Sequence, residues 1–530
     1  MNKPIDWSLN YPSRKMPVLA GNVVSTTQPL AAQAGLRMML AGGNAVDAAI
    51  ATAITLTVVE PVMNGIGGDM FALVWHEGEL YGLNASGRSP AAWTPEFFAG
   101  QDAMPPLGWG TVTVPGAVSG WKALSDRFGS LPFAKLFEPA IEYARNGFPV
   151  SPTVARQWAT QAPNLKEQPG YADAFMPEGR TPVAGEIWRF EAQAKTLEAI
   201  AASGGESFYR GELARRITDF SREGGGGLSA EDLAAHKVDW VEPVSQSFGD
   251  LRLHEIPPNG QGIAALLALG MLEKFDLKAM GRDSADYYHV CIEAMKLAFA
   301  DLHHHIADSD HMHVDTAALL DPTYLAGRAN DIRMDVANTP GAGSPTKGGT
   351  VYLTAADAKG TMVSFIQSNY HGFGSGVVVP GTGIALHNRG RGFVLTPGHA
   401  NQVAPNKRPL HTIIPGFVTQ AGKPLMSFGV MGGSMQAQGH LQMVTRLGAF
   451  GQNPQDMCDA PRFRVEAGPI VHVESHMPAA VVEALRSRGH NVQVAPADSL
   501  EFGSAQLIYR DEGFYFAASD ARRDGQAVGF

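Results

Sequence analysis

The chain has 530 residues, enough for several ordinary domains or one large intertwined core, and its 41 Lys and Arg against 51 Asp and Glu give a net charge of −10. No local basic cluster offsets that balance, so a phosphate-tracking surface and a nucleic-acid partner are not expected. Only Cys291 and Cys458 are present, far apart and without metal-type neighbours, which argues against a disulfide framework or a zinc knuckle and for two buried thiols.

Taken in order, Met1 to Ser8 has no apolar run after Lys3, so no secretory signal is expected and the cytoplasm is the default compartment. Leu30, Ala34, Leu36 and Met39 repeat at helical spacing up to Gly42-Gly43. Asn44 can cap a second, apolar helix that stops at Glu60-Pro61. Its stretch 45–59 carries Asp47 and is shorter than the roughly 20 apolar residues needed to cross a bilayer, so it reads as a core helix and no membrane partner is expected. Asn64-Gly65-Ile66-Gly67-Gly68-Asp69-Met70 has the glycines of a dinucleotide loop but precedes a strand instead of joining strand to helix. A hairpin, 71–76 and 79–85 about Glu77-Gly78, then delivers Ser86-Gly87-Arg88 in a turn. Residues 111–116 read as a strand, and 117–127, 133–146 and 191–202 as helices.

Gly224 to Gly227 leads into a Ser229 helix cap and lacks the Lys-Ser or Lys-Thr of a phosphate loop. A long helix, 284–305, runs into His303, His304, His305, His311 and His313, with aspartates interleaved. Adjacent histidines at a helix end point in different directions, so this reads as a polar terminus and no metal is expected. Residues 337–349 have the composition of an exposed linker, and at Thr350 the character changes to β. Strands are predicted over 350–355, 361–368, 413–419, 425–430, 506–509 and 514–517, with helices over 435–448 and 479–488.

The junction Gly348-Gly349-Thr350 carries the chemistry. The plain alternative is that Thr350 only opens a strand, where threonine is favoured. A threonine hydroxyl is a poor nucleophile near neutral pH, but cutting Gly349–Thr350 frees an α-amine held by covalent geometry beside that hydroxyl, and the amine becomes its base. Gly429-Val430-Met431-Gly432-Gly433-Ser434, with glycine backbone between a strand and a helix N-terminus, reads locally as a tight strand-to-helix turn and can also offer oxyanion donors.

Several stretches together, Gly42-Gly43-Asn44-Ala45-Val46-Asp47-Ala48-Ala49, Ile66-Gly67-Gly68, Val114-Pro115-Gly116, Phe373-Gly374-Ser375-Gly376, Pro405-Asn406-Lys407-Arg408-Pro409-Leu410, Gly432-Gly433-Ser434 and Ser519-Asp520-Ala521-Arg522, resemble the γ-glutamyltranspeptidase family over nearly the whole chain. The resemblance implies an α+β N-terminal nucleophile hydrolase fold, an αββα four-layer sandwich with a large helical portion from the N-terminal part. It implies one precursor autocleaved into a large subunit, 1–349, and a small subunit, 350–530, intertwined as a heterodimer or a dimer of heterodimers, with no cofactor. Thr350 would be cleavage site and nucleophile, Gly432 and Gly433 the oxyanion hole, and Ser368 a second hydroxyl bonded to the nucleophile.

Asn369 or Tyr370 would be the adjacent polar position. His411 and Thr412 fall where the family has a serine pair that holds the substrate α-carboxylate. Three departures bear on substrate. Ser86 stands where the glutamyl-binding arginine belongs, with Arg88 two residues on. Gly392 stands where the family has the acid that grips the α-ammonium, beside Arg389 and Arg391. The lid loop is short, His399 to Ala404, which predicts an open pocket.

An acid exchanged for glycine beside arginines favours an anion over a cation. The expected function is therefore hydrolysis of a small-molecule amide whose acyl part carries a carboxylate without an α-ammonium, with Arg88, Arg389 and His371 holding the anion. The resemblance implies one of the family's non-glutamyl branches, oxamate amidohydrolase or the cephalosporin acylases that take a glutaryl group, with oxamate preferred. The alternatives are a γ-glutamyl hydrolase or transpeptidase acting on glutathione-like substrates and, in another class, an uncleaved non-catalytic binding homologue.

Overall fold

The computed structural model describes residues 10–11, 15–338, 349–466 and 468–530. Most of the predicted linker, 339–348 with Gly348, lies outside them. The frame is two seven-stranded antiparallel sheets. One runs in the order Val18–Ala20, Phe514–Ser519, Ala505–Asp511, Lys423–Val430, Gly416–Gln420, Leu251–Glu255 and Val244–Phe248. The other runs Gln526–Gly529, Val23–Thr26, Gly349–Ala356, Met362–Tyr370, Asp69–His76, Glu79–Ala85 and Asp239–Val241. Each sheet mixes strands from both sides of Thr350, so the change of composition there falls in mid-sheet.

Strand periodicity explains the layering. In Asp69–His76, Met70, Ala72 and Val74 join the core that holds the helices Pro29–Leu40 and Ala45–Val59, whereas Phe71 and Leu73 join Tyr352, Ile366, Phe417 and Ile508 between the sheets. The outer face of the other sheet is covered by Gly262–Leu272, Ala285–His305 and Met435–Phe450. Helices, sheet, sheet and helices therefore stack in four layers. Because both faces of the central strands are covered, they read as nearly unbroken apolar runs.

Local chemistry fixes the ends of these elements. Asn44 and Asp47 form a reciprocal capping box on Ala45–Val59, every residue of which is buried. The turn after Asp69–His76 is made by Glu77 and Gly78, both at positive φ. Cys291 and Cys458 are buried thiols, and no helix among the described residues is long and apolar enough to cross a membrane.

Several predicted elements need correction. Residues 111–116 are not a strand: a short 3-10 turn, Trp109–Thr111, gives way to extended backbone, with Val114 N–H donating to Arg88 O and Gly116 N–H to Gly68 O instead of to one ladder. The helix predicted over 133–146 begins as 3-10, Phe133–Phe137, and becomes α-helix only at Glu138–Asn146, where Pro139 is accommodated in the first turn. The strand predicted over 413–419 is Gly416–Gln420, following Pro415, which has no N–H to give a ladder.

Candidate active site

Thr350 sits on the Gly349–Ala356 strand, on the side facing the other sheet, where Thr354 Oγ1 and Ser427 Oγ are 2.7 Å apart. The register shifts between Gly349 and Val351, a bulge at the residue of interest. The Thr350 hydroxyl donates to Ser368 Oγ at 3.4 Å, and Ser368 Oγ accepts the Tyr370 N–H at 2.7 Å. Tyr370 holds φ 78°, unusual for a bulky residue, and this turns the chain out of the sheet immediately after Ser368 and Asn369. Thr350, Ser368 and Asn369 are fully buried.

A second side chain reaches Thr350. Gln436 Nε2 donates to Thr350 Oγ1 at 3.3 Å while Gln436 Oε1 accepts the Ile414 N–H at 3.1 Å, so the amide is held at both ends. Gln436 lies in the first turn of Met435–Phe450, which brings the preceding Gly432-Gly433 turn beside Thr350. Gly432 and Gly433 have φ 125° and 64°, left-handed backbone that a side chain would strain. Their carbonyls are occupied: Met435 N–H donates to Gly432 O, and Gln436 N–H and Gln261 Nε2 donate to Gly433 O.

Gln261 also donates to Thr412 O at 2.5 Å, tying the glycine turn to Thr412, whose Oγ1 accepts from Arg389 Nη1 at 2.8 Å. A continuous run of bonds thus joins Arg389 to Thr350 through Thr412, Gln261, Gly433 and Gln436. Arg389 is 1 % exposed, its guanidinium lies 4.8 Å from the Tyr370 ring centroid, and its Nε and Nη2 have no hydrogen-bond partner. Burial pulls its pKa down to about 10. A buried cation with an unmatched N–H pair on one edge of its fork suits a carboxylate.

Beneath Arg389 lies Asp69, paired in register with Ser368. Asp69 Oδ1 accepts the N–H groups of Gly116 and Gly87 at 2.9 and 3.3 Å, and Oδ2 accepts from His411 Nε2 at 3.1 Å. Burial raises the Asp69 pKa to about 7, against the pull of Arg389. His411, expected beside the substrate, has both ring nitrogens taken, because Nδ1 accepts the Ile413 N–H at 3.3 Å. It braces Asp69 and presents no ring nitrogen to a ligand.

Other expected positions are distributed as follows. His371 stacks on Tyr370 and its Nδ1 accepts from Asn388 at 2.8 Å and Arg391 at 3.4 Å; His371 and Arg391 are the partly exposed edge of the cluster. The Asn369 side chain packs on the glycine loop, where a Cβ on Gly68 would lie 2.8 Å from its Oδ1. Arg88 is drawn elsewhere: its Nη1 donates to Asp308 at 2.8 Å and to Asn406 O at 3.1 Å, and no described hydrogen bond joins it to Arg389. Ser86 is buried and donates to Asn84 Oδ1 at 2.7 Å.

Among the described residues, the open pocket expected from the short loop does not reach Thr350. Thr350 is inaccessible, and the strand runs on past it through Gly349, which pairs with Tyr370. The loop itself is tied down by Lys407 Nζ to Ala400 O and Gln402 O, and by Asn401 Nδ2 to Gly392 O.

Of the histidine-rich segment, His303 is drawn toward the loop through His399 Nε2 to His303 O at 3.0 Å. Among the described residues, the metal-type ligands that converge are instead His289, Glu293 and His490. Sequence reasoning missed Gln436, Gln261 and Asp69. The one local signal was the polar residues Gln436, Gln438, His440 and Gln442 in a helix that is buried on every side from Met435 to Arg446.

Residues 31–530 match the family model described as Gamma-glutamyltranspeptidase. The chain is 37 % identical over 511 residues to the glutathione hydrolase-like YwrD proenzyme of Bacillus subtilis (strain 168), covering 94 % of this chain and 97 % of the relative. It is 36 % identical over 514 residues to the oxamate amidohydrolase proenzyme of Klebsiella pneumoniae, with the same coverage of 94 % and 97 %. The crystal structure of cephalosporin acylase from Bacillus halodurans superposes with a TM-score of 0.94 at 48 % identity, covering 100 % of this chain and 99 % of that one. The chain belongs to the γ-glutamyltranspeptidase family and is an enzyme with its N-terminal nucleophile hydrolase fold.

Proposed function

We propose that this chain is a precursor cut between Gly349 and Thr350, giving a large portion, 1–349, and a small portion, 350–530, and that the product is a threonine amidohydrolase for amides of small carboxylate-bearing acyl groups. The observation that carries the substrate reading is the buried Arg389 fork with Nε and Nη2 unpartnered. The two relatives above are both named as proenzymes, which supports the processing step.

After cleavage the Thr350 α-amine takes the proton of its own hydroxyl as Oγ1 attacks the substrate amide carbon. The N–H groups of Gly432 and Gly433 receive the oxyanion, the C–N bond breaks with the proton passing to the leaving nitrogen, and an ester on Oγ1 is left. Water, activated by the same amine, hydrolyses that ester and restores Thr350. Ser368 and Gln436 hold Oγ1 in line, each by one hydrogen bond.

Arg389 receives the acyl carboxylate, with Thr412 and Tyr370 fixing the fork. A γ-glutamyl substrate would also need an anionic partner for its α-ammonium, and position 392 has no room for one: a Cβ on Gly392 would meet Leu410 O at 2.5 Å. Oxamate, the amide of a minimal acyl group bearing a carboxylate, is the substrate placed first. The test is a panel of oxamate, a glutaryl anilide, a γ-glutamyl anilide and glutathione with wild type and Arg389→Met. A charge-assisted contact of about 1.5–3 kcal/mol predicts a loss of roughly 10- to 150-fold in kcat/KM for the preferred acyl amide. Glutathione turned over as fast as oxamate, or an Arg389→Met enzyme with unchanged selectivity, contradicts the reading.

A further inference from the structure

The buried convergence of His289, Glu293 and His490 has a fourth member that decides its nature. Lys296 Nζ donates to Glu293 Oε1 at 2.8 Å, to His490 Nδ1 at 3.2 Å and to Asn338 O at 3.0 Å, using all three ammonium protons. Glu293 Oε2 accepts the Asn338 N–H at 2.7 Å. With His490 Nδ1 accepting from the lysine, its Nε2 carries the proton and donates to His289 Nδ1 at 2.8 Å, and His289 Nε2 donates to Arg333 O at 2.7 Å. One tautomer of each ring satisfies every polar side-chain atom of the four residues.

Burial holds both histidines below their ordinary range, His490 at about 3, in keeping with neutral rings. All four side chains are at most 4 % exposed. An ammonium therefore occupies the place a metal would need.

What this network grips is backbone. Asn338 gives it both its N–H and its C=O, and the neighbouring Ala337 N–H donates to Arg488 O at 2.6 Å. Asn338 is followed by residues 339–348 and then by Gly349, so the grip falls just ahead of the proposed cleavage peptide. Its parts come from both sides of that peptide: His289, Glu293 and Lys296 from one helix of the large portion, and His490 and Arg488 from the small portion.

We propose that Glu293, Lys296 and His490 form a clamp on Asn338 that sets where the chain enters the segment leading to Thr350, and that the clamp is a positioning device for self-cleavage. It acts on processing and not on amide turnover, because none of its residues belongs to the hydrogen-bonded run from Arg389 to Thr350. This inference rests on the processing step proposed above. Fixing one end of a segment raises the fraction of chains with the scissile peptide aligned to react.

The test follows conversion of freshly made single chain into two chains on a denaturing gel, for wild type, Lys296→Met and Asn338→Pro. Removing one member of a buried ion pair destabilises strongly and Lys296→Met can misfold. Asn338→Pro deletes the N–H that Glu293 accepts, together with the side-chain amide that donates to Asp331 O at 3.4 Å, and keeps the ion pair intact. The expected result is conversion slowed by about 10-fold or more in Asn338→Pro, with the melting temperature and the kcat of fully matured enzyme unchanged.

Wild-type conversion matched by Asn338→Pro overturns the clamp while leaving the processing reading in place. Slowing accompanied by an equal loss of melting temperature and of matured kcat assigns the cluster a structural role and also overturns it. A wild-type chain that never converts overturns the processing reading, and the clamp with it.

Discussion

Thr350 Oγ1 is held from two directions by groups that have no other freedom. Ser368 Oγ is fixed by the Tyr370 N–H, and the Gln436 amide is fixed by Ile414. Replacing Gln436 with methionine keeps the volume and deletes one neutral hydrogen bond to the nucleophile, for which about 0.5–1.5 kcal/mol predicts a kcat lower by roughly 2- to 10-fold with KM little changed. A steady-state comparison on the matured enzyme checks it.

At this scale legibility followed covalent neighbourhood. Thr350 behind two glycines and Gly432-Gly433 ahead of a helix carry their proposed chemistry in adjacent residues, so both stand out in the chain itself. Gln436, marked locally only as a polar residue in a buried helix, meets Thr350 from far away in sequence, and Gln261 and Asp69 likewise take their partners from distant segments. His411 misled for the same reason: the ring suits a ligand, and only the fold supplies Asp69 and Ile413 to occupy both nitrogens.

Among the elements, the strand carrying Thr350 owes its rigidity to the opposite sheet. Gly429 lets the two sheets close there, since a Cβ on it would lie 2.3 Å from the Tyr352 ring, and the Tyr352 hydroxyl is paired with Ser364 Oγ at 2.7 Å. Gly429→Val is expected to cost about 1–3 kcal/mol through overpacking, read as a lowered midpoint in denaturant unfolding. An unchanged midpoint would mean the sheets are free to separate locally.

Helices with caps and an apolar repeat were legible to within a few residues, as Ala45–Val59 and Glu191–Ser203 illustrate. Residues 111–116 were not, because a β-branched run meets its hydrogen-bond partners on separate loops. The outer strands Asp239–Val241, Val244–Phe248 and Leu251–Glu255 were also missed, being half-exposed and set by pairing with distant strands instead of by their own pattern.

For the whole molecule, interleaving of the two portions in both sheets means that a cut at Gly349–Thr350 would leave one shared core, so processing and stability are separate questions. Stability has its own pH signature. Glu60 is buried against Thr27, and burial raises its pKa from 4.5 to about 7 despite Arg523. The folded chain then holds a proton that the unfolded chain releases, so this group's contribution falls as pH rises from 4.5 to about 7 and is constant above. In Glu60→Gln that loss is absent, and the melting temperature of the variant relative to wild type is expected to rise across the same window and then level. A difference that does not vary with pH would rule Glu60 out as the titrating group.

Intact-mass analysis alongside amide hydrolysis, for wild type and Thr350→Ala, tests the proposed scissile peptide and the proposed nucleophile together. Wild type is predicted to give two chains, the smaller beginning at Thr350, with oxamate hydrolysis growing in step, while Thr350→Ala stays a single inert chain. A wild-type chain cut elsewhere, or hydrolysis that survives in Thr350→Ala, would contradict the account.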